Sequence, residues 1–401
     1  MKKKYTLGVI MSHPIHYFLG LFREIHNNEI LEERIYFCSD FGIKEGLDKT
    51  FNRVVKWYDK DILTGINYRF LKNFSFSPNF GSFFSLINPS IIWNIKTAHH
   101  DAIFMHSWNF FSNWLTFFAA RFFKIPIFLR VESPYNQEIL KSRFNIFIKK
   151  ILLGKVLFPF ISAFLYIGEQ NKKFYQFYGI PDSKLFFVPY SVDNIFFQKQ
   201  AETLRSKKNE KKIKIGINPS SIVVLFVGKL IEKKRPLDLL SAFHNTQLDN
   251  AVLVFVGDGP LRGDIEKYVA DNNIKNVTLL GIRYPSEISE FYILADIFVL
   301  PSGSGETWGL VVNEAMNFGL PIIVSDMVGC GVDLVHHGEN GFVFPLGNIK
   351  YLSRYLSDLI NNSSKRNQFG IRSREIISSY DHAHDISGIV RAFENSVASK
   401  S

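Results

Sequence analysis

Eleven short apolar runs, each followed by a longer stretch of mixed polarity, constrain this chain more than any other feature of its sequence. In the first half they are Thr6–Met11, Arg34–Cys38, Ala102–His106, Ile127–Val131, Phe164–Ile167 and Phe186–Val188. In the second they are Ile222–Val227, Val252–Val256, Val277–Leu280, Ile297–Leu300 and Ile322–Ser325. Strands that are apolar along their whole length are expected where helices cover both faces of a parallel sheet. Strand–helix alternation in two successive blocks predicts an α/β fold of two Rossmann-like, doubly wound parallel-sheet domains. A length of 401 residues agrees, since it exceeds one ordinary core and fits two domains.

A charged stretch from Gln198 to Ile213 lacks strand periodicity and precedes the run at Ile222. It puts the expected boundary between residues 1–195 and 196–401. The first ten residues turn from basic to apolar, but Ser12-His-Pro-Ile-His16 interrupts them and no small-residue cleavage site follows. They read as a buried first strand. The weakly charged run Val156–Gly168 contains Pro159 and is too short to span a bilayer. Cys38 and Cys330 form no CxxC or Cys/His cluster, so neither a disulfide framework nor a zinc site is expected, and a cytoplasmic location is.

The chemistry is densest in Pro301-Ser-Gly-Ser-Gly-Glu-Thr-Trp-Gly-Leu-Val-Val-Asn-Glu314. A strand ends, a glycine-containing loop follows, and a helix begins near Gly309. Free N–H groups and the dipole at such a helix start suit a phosphate. Glu306 falls in the loop. Glu314 falls about one and a half turns into the helix, where a carboxylate can accept two hydrogen bonds from a vicinal diol. Lys229 and Lys234, on the loop after Gly228, supply positive charge suited to a diphosphate. A lysine cluster on a loop is by itself solvated surface; beside the two glutamates it gains a function. Gly257 and Gly259 read as residues of a tight turn. Trp308 is either packing or a neighbour of the ligand. Asp59-Lys-Asp61 is a DxD pattern in a polar region and reads as surface, so no metal ligand is assigned.

Gly228-Lys-Leu, Lys234, Val256-Gly-Asp-Gly-Pro260, Leu280-Gly-Ile-Arg283, Ala295-Asp-Ile-Phe-Val-Leu-Pro-Ser302, Glu306, Glu314 and Gly338-Glu-Asn-Gly341 occur in order. Together they resemble the C-terminal half of glycosyltransferase family 4, the retaining enzymes of glycosyl transferases group 1. The resemblance implies the GT-B fold, in which two such domains face each other across a cleft. It implies Lys229 and Lys234 on the donor diphosphate, Glu314 on the ribose, Glu306 near the transferred sugar, and Gly309, Leu310 and Val311 as backbone donors. Ile282 and Arg283 fall where that family contacts the base. Lys229 replaces the family's usual arginine, keeping the charge and giving up the bidentate fork.

In the first half, Ser12-His-Pro-Ile-His-Tyr17 is similar to an opening found in some family members, which makes Ser12, His13 and His16 candidate cleft residues. The two histidines read equally well as caps of a helix beginning near Ile15. His106 ends a strand, and the resemblance implies a catalytic position close to the transferred sugar. Arg130 and Glu132 read as a buried ion pair. Residues 1–195 hold 24 Lys/Arg and 15 Asp/Glu, a net of +9, whereas residues 196–401 hold 23 and 22, a net of +1. Within the first half, Phe144, Phe147, Ile148 and Ile151 share one face of an expected helix, with Lys141, Asn145 and Lys149 on another. That pattern alone is an ordinary core-facing helix. The charge excess turns the expectation toward a helix lying on an anionic membrane.

The expected activity is retaining, metal-independent transfer of a sugar from a nucleoside-diphosphate donor to a saccharide or lipid-linked acceptor, in bacterial surface polysaccharide biosynthesis. The nucleotide sugar is a substrate and no cofactor is expected. Partners are the donor, the acceptor and the inner face of a membrane, with no nucleic acid. Two rivals share parts of the pattern: a nucleotide-sugar epimerase of the same architecture, and a non-enzymatic basic protein that binds lipid or nucleic acid.

Overall fold

The apolar run behind the basic N-terminus is a strand, β1 (Tyr5–Met11), buried from Leu7 to Met11. A computed structural model describes residues 4–44, 46–48, 53–55, 60–78 and 80–398. After β1 come β2 (Leu31–Phe37), a hairpin of β3 (Gly46–Asp48) and β4 (Arg53–Val55), then β5 (Tyr68–Phe70), β6 (Ala102–His106), β7 (Ile127–Arg130), β8 (Ala163–Tyr166) and β9 (Leu185–Phe187). All but the hairpin form one parallel sheet in the order β5-β2-β1-β6-β7-β8-β9.

The second unit repeats the scheme with β10 (Ile222–Val227), β11 (Ala251–Val256), β12 (Val277–Leu279), β13 (Ile297–Leu300), β14 (Ile322–Ser325) and β15 (Gly341–Phe344). Its parallel sheet runs β12-β11-β10-β13-β14-β15. Both units are therefore doubly wound, as expected. In each, the strand order reverses at one place: between β1 and β6 in the first, between β10 and β13 in the second. There the loops leaving two adjacent strands diverge to opposite faces, and ligands of open α/β sheets bind.

The boundary differs from a single cut at 195/196. The first unit runs to Tyr190 and takes in the residues from His382 onward, and the second runs from Ser191 to Asp381. The charged stretch that marked the boundary is helical, Asn194–Leu204 and Lys208–Lys214, and belongs to the second unit. Lys212 is buried there, donating to the Ser221 carbonyl at 2.7 Å. The return of the C-terminus has a packing cause. Ile389, Ala392 and Phe393 form a buried stripe on helix His382–Ala398. The Phe393 ring stacks on Tyr5 at 4.7 Å and meets Phe128 at 4.9 Å. Beside them, a Cβ on Gly388 would lie 2.0 Å from the Phe187 carbonyl oxygen, a contact that only glycine permits.

The strands absent from the sequence expectation are β5, β15 and the hairpin. β5 is a three-residue edge strand, only half-buried, so it carries no apolar run. β15 opens on Gly341, whose Cβ would sit 1.9 Å from the Ile322 carbonyl oxygen. Glycine weakens a strand signal in the sequence while permitting that approach.

Candidate functional site

At the reversal point of the second unit, β10 runs into Gly228 and Lys229, and a short turn Glu232–Lys234 follows. Arg235 takes the left-handed conformation (φ 49°) and Pro236 starts the next helix, so the chain turns sharply just beyond Lys234. β13 meanwhile runs into Pro301 and the loop that carries Glu306. The sheet order sets these two loops side by side: Gly303 N–H donates to the Lys233 carbonyl at 2.7 Å, and the Lys234 ammonium pairs with Glu306 Oε2. Burial pushes the Glu306 carboxyl up, but Lys234 and Lys233, with hydrogen bonds from Lys234 and Ser302, hold it below the usual carboxylate range. The pair is an ionised carboxylate and ammonium, mostly shielded from solvent, at the C-terminal edge of the sheet.

Two glycine contacts lock the lysine loop. A Cβ on Gly257 would lie 1.9 Å from the Gly228 carbonyl oxygen, and one on Gly259 would lie 2.4 Å from that of Leu230. Their backbone φ values are also positive, at 140° and 159°. These glycines let two backbones touch, in line with their reading as turn residues. Gly309 (φ 106°) is the N-cap of helix Leu310–Asn317. The first N–H groups of that helix, from Leu310 and Val311, have no acceptor within it. The loop is clamped from below, since Gly329 N–H donates to the Glu306 carbonyl and Cys330 N–H to that of Trp308, both at 3.1 Å.

Glu314 lies in the second turn of the helix and is 4% exposed. Tyr292 O–H donates to its Oε2 at 2.6 Å. The sequence reading missed Tyr292; the available signal was a tyrosine inside an apolar segment, whose hydroxyl needs a partner once buried. Trp308 is buried, with its indole N–H on Asn313 Oδ1 at 2.9 Å and its ring 6.1 Å from that of Tyr380, so its role is packing. Ile282 and Arg283 follow β12 at the sheet edge, Ile282 half-buried and Arg283 exposed, with its guanidinium 5.4 Å from the Phe291 ring.

The first unit gathers a second cluster at its own reversal point. Ser12 and His13 leave β1, and their side chains meet at 3.0 Å. The His13 ring packs against Phe80 and Phe41. His16 opens helix His16–His26, whose N-cap is Ile15 with no side-chain cap hydrogen bond, so neither histidine caps it. Burial pushes both imidazoles down to about 4, and His106 adds to the effect on His13. His106, at the end of β6, has its Nε2 3.1 Å from Glu132 Oε1.

The expected Arg130–Glu132 pair takes another form. Burial pushes Glu132 up, but hydrogen bonds from His106 and Tyr190 and the charges of His106 and Arg130 hold it below the usual range. Arg130 is buried between the rings of Phe18 and Tyr190, with its Nη1 3.7 Å from Asp385 Oδ1 on the C-terminal helix. No alternation pattern could have linked positions that far apart. Among the described residues, no group of three or more His, Cys, Asp and Glu side chains is set to hold a metal ion. Asp59 lies outside those residues, and Asp61 is exposed.

The segment that carries the cluster of the second unit has counterparts in known proteins. Residues 207–376 match the family Glycosyl transferases group 1, and this segment includes Lys229, Lys234, Glu306 and Glu314. That segment, 207–376, is a glycosyl transferases group 1 domain. The chain is 33% identical over 182 residues to the sulfoquinovosyl transferase SQD2 of Arabidopsis thaliana, covering 44% of this chain and 34% of that protein. It is 33% identical over 194 residues to a UDP-Gal:alpha-D-GlcNAc-diphosphoundecaprenol alpha-1,3-galactosyltransferase of Escherichia coli, covering 46% and 48%. It therefore spans half or less of the length of these curated relatives. The GT-B fold extends beyond the group 1 domain. HepE of Anabaena, solved in complex with UDP and glucose, superimposes with a TM-score of 0.68 at 18% identity, covering 98% of this chain and 100% of that one. A glycosyltransferase from Rickettsia africae gives 0.76 at 13% identity, covering 98% and 99%. Within the described residues, no helix is long and apolar enough to cross a membrane.

Proposed function

We propose that this chain is a retaining, family 4 glycosyltransferase that moves a sugar from a nucleoside diphosphate to a hydroxyl of a saccharide or lipid-linked saccharide. The observation that carries this reading is the Lys234–Glu306 pair beside the helix opened by Gly309, at the reversal point of the second sheet. In the reaction the anomeric C–O bond to the diphosphate breaks and a C–O bond to the acceptor forms with the same configuration. The acceptor's proton is released, and the nucleoside diphosphate leaves with one more negative charge. Lys229, Lys234 and the N–H groups at the helix start face that charge and stabilise the transition state without a metal. Glu314 holds the ribose diol, and Ile282 with Arg283 lies beside the base. Glu306 orients the sugar. His106, oriented in turn by Glu132, is the catalytic residue of the first unit, with Ser12, His13 and His16 around it.

The relatives support the acceptor class. Two of them carry diphosphoundecaprenol in their names, the Escherichia coli enzyme and a Campylobacter jejuni N-acetylgalactosaminyltransferase 28% identical over 279 residues. On this reading the chain works at the cytoplasmic face of a membrane, in surface polysaccharide assembly. A thermal-shift and calorimetric screen of UDP, GDP and their sugars, followed by mass spectrometry of products with a lipid-diphosphate saccharide, tests it. Binding of one nucleotide sugar and transfer to the acceptor are expected. A sugar epimer released without acceptor would assign an epimerase. Binding of nucleic acid that no nucleotide displaces would sink the enzymatic reading.

A further inference from the structure

Helix Arg143–Ile151 is turned inside out relative to the ordinary surface helix, which buries its apolar stripe and wets its charges. None of its residues is buried. Phe144 is 71% exposed and Phe147 59%, with Ile148 and Ile151 exposed beside them on the same stripe. The side turned to the protein is instead the basic one. Lys149 pairs with the buried Glu138 at 2.9 Å, and its ammonium stands 5.7 Å from the buried Phe174 ring. Lys150, exposed at the edge of the stripe, lies 4.4 Å over the Phe177 ring. The core-facing helix that the pattern alone suggests is thus not what forms, and the helix is held by Lys149 with its phenylalanines pointing away.

The segment itself carries one sign of charge. From residue 139 to residue 168 there are five Lys/Arg and no Asp or Glu. Arg143, Lys150 and Lys155 are exposed along the edges of the apolar stripe. The chain continues to Phe160, which is exposed and covered by the Arg121 guanidinium at 4.5 Å. Phe160 shares the Phe117 ring with Phe118, which is 58% exposed. Apolar rings rimmed by cations match a lipid surface, where rings enter the acyl boundary and cations meet phosphate headgroups.

We propose that the outward face of helix Arg143–Ile151, with Phe144, Phe147, Ile148 and Ile151 as its apolar stripe and Arg143, Lys150 and Lys155 as its rim, docks this chain on an anionic bilayer. The proposal deepens the membrane-side reading given above and rests on it only for the identity of the surface. A second copy of the chain is disfavoured as occupant, because pairing this face with itself would bring like charges together.

Co-sedimentation with vesicles of phosphatidylcholine containing about a third phosphatidylglycerol tests it, against pure phosphatidylcholine and against high salt. The full chain is expected to bind the anionic vesicles, and to bind at least tenfold less in the other two conditions. Phe144→Ser with Phe147→Ser, and separately Lys150→Glu with Lys155→Glu, should each lower binding at least tenfold. Ile371→Ser, on an exposed site of the second unit, should leave it unchanged. Melting temperatures of all variants verify folding. Equal binding by wild type and both double variants, or no binding to anionic vesicles, overturns the proposal. So does a wild-type dimer in sedimentation velocity that the phenylalanine variants dissociate. Nucleotide-sugar binding in the same samples separates the two readings, because vesicle binding without it leaves the surface standing and removes the transferase.

Discussion

Lys234 and Glu306 are 72 residues apart in the chain and form an ion pair where the loops after β10 and β13 meet. The carboxylate is buried, and Gly257 and Gly259 hold the lysine's loop at backbone contact. On the proposed function, a charge fixed in this way would stabilise a leaving diphosphate with little reorganisation.

Lys234→Ala should therefore lower kcat by about a hundredfold or more, the scale found when one preorganised charge stabiliser is removed. It also strands a buried carboxylate, which destabilises the fold. Adding Glu306→Gln should restore the melting temperature while kcat stays low. Recovery of kcat in the double variant would show that the lysine serves the fold alone. Transfer by the wild type is expected to persist in EDTA, and restoration of an EDTA-abolished activity by magnesium or manganese would defeat the metal-free mechanism.

Glu314→Ala should weaken donor binding roughly ten- to a hundredfold, the value of a hydrogen bond to a charged group being about 1.5–3 kcal/mol. Because Tyr292 donates to Glu314, the same change leaves a buried hydroxyl without that acceptor and should lower stability as well. Tyr292→Phe separates the effects. It keeps the carboxylate for the ribose, so donor affinity should fall only a few-fold in isothermal titration. A loss as large as that of Glu314→Ala would mean that the ribose contact is not the main role of Glu314.

Three imidazoles of the first unit, His13, His16 and His100, are pushed down to about 4, in each case chiefly by burial. Between that value and the ordinary one of about 6.5, the unfolded chain binds protons that the folded chain does not. Stability should be fully present above pH 6.5 and decline as pH falls towards 4. His100 is buried with its Nε2 3.1 Å from the Tyr36 hydroxyl, so His100→Asn should flatten that decline in urea unfolding measured from pH 4 to 7. An unchanged slope would remove His100 from the account.

The sheets were legible in the sequence because continuous apolar runs such as Ile222–Val227 and Ile297–Leu300 have few ways to be buried other than as parallel strands between helices. The site of the second unit was legible for a related reason. Gly309, Glu306 and Lys234 sit directly after such strands, and local spacing fixes what lies at a strand end. What the sequence could not show is which strand ends are neighbours. That follows from the strand order, which brings Glu306 to Lys234 and Glu132 to His106. Burial was equally hidden, since Tyr292 and Trp308 have sequence contexts that suit either a core or a ligand. The helical spacing of Phe144, Phe147, Ile148 and Ile151 was plain from the sequence, but not the direction it faces. A periodic stripe specifies that one side of a helix differs from the other; only the packing of Lys149 on Glu138 decides which side turns inward.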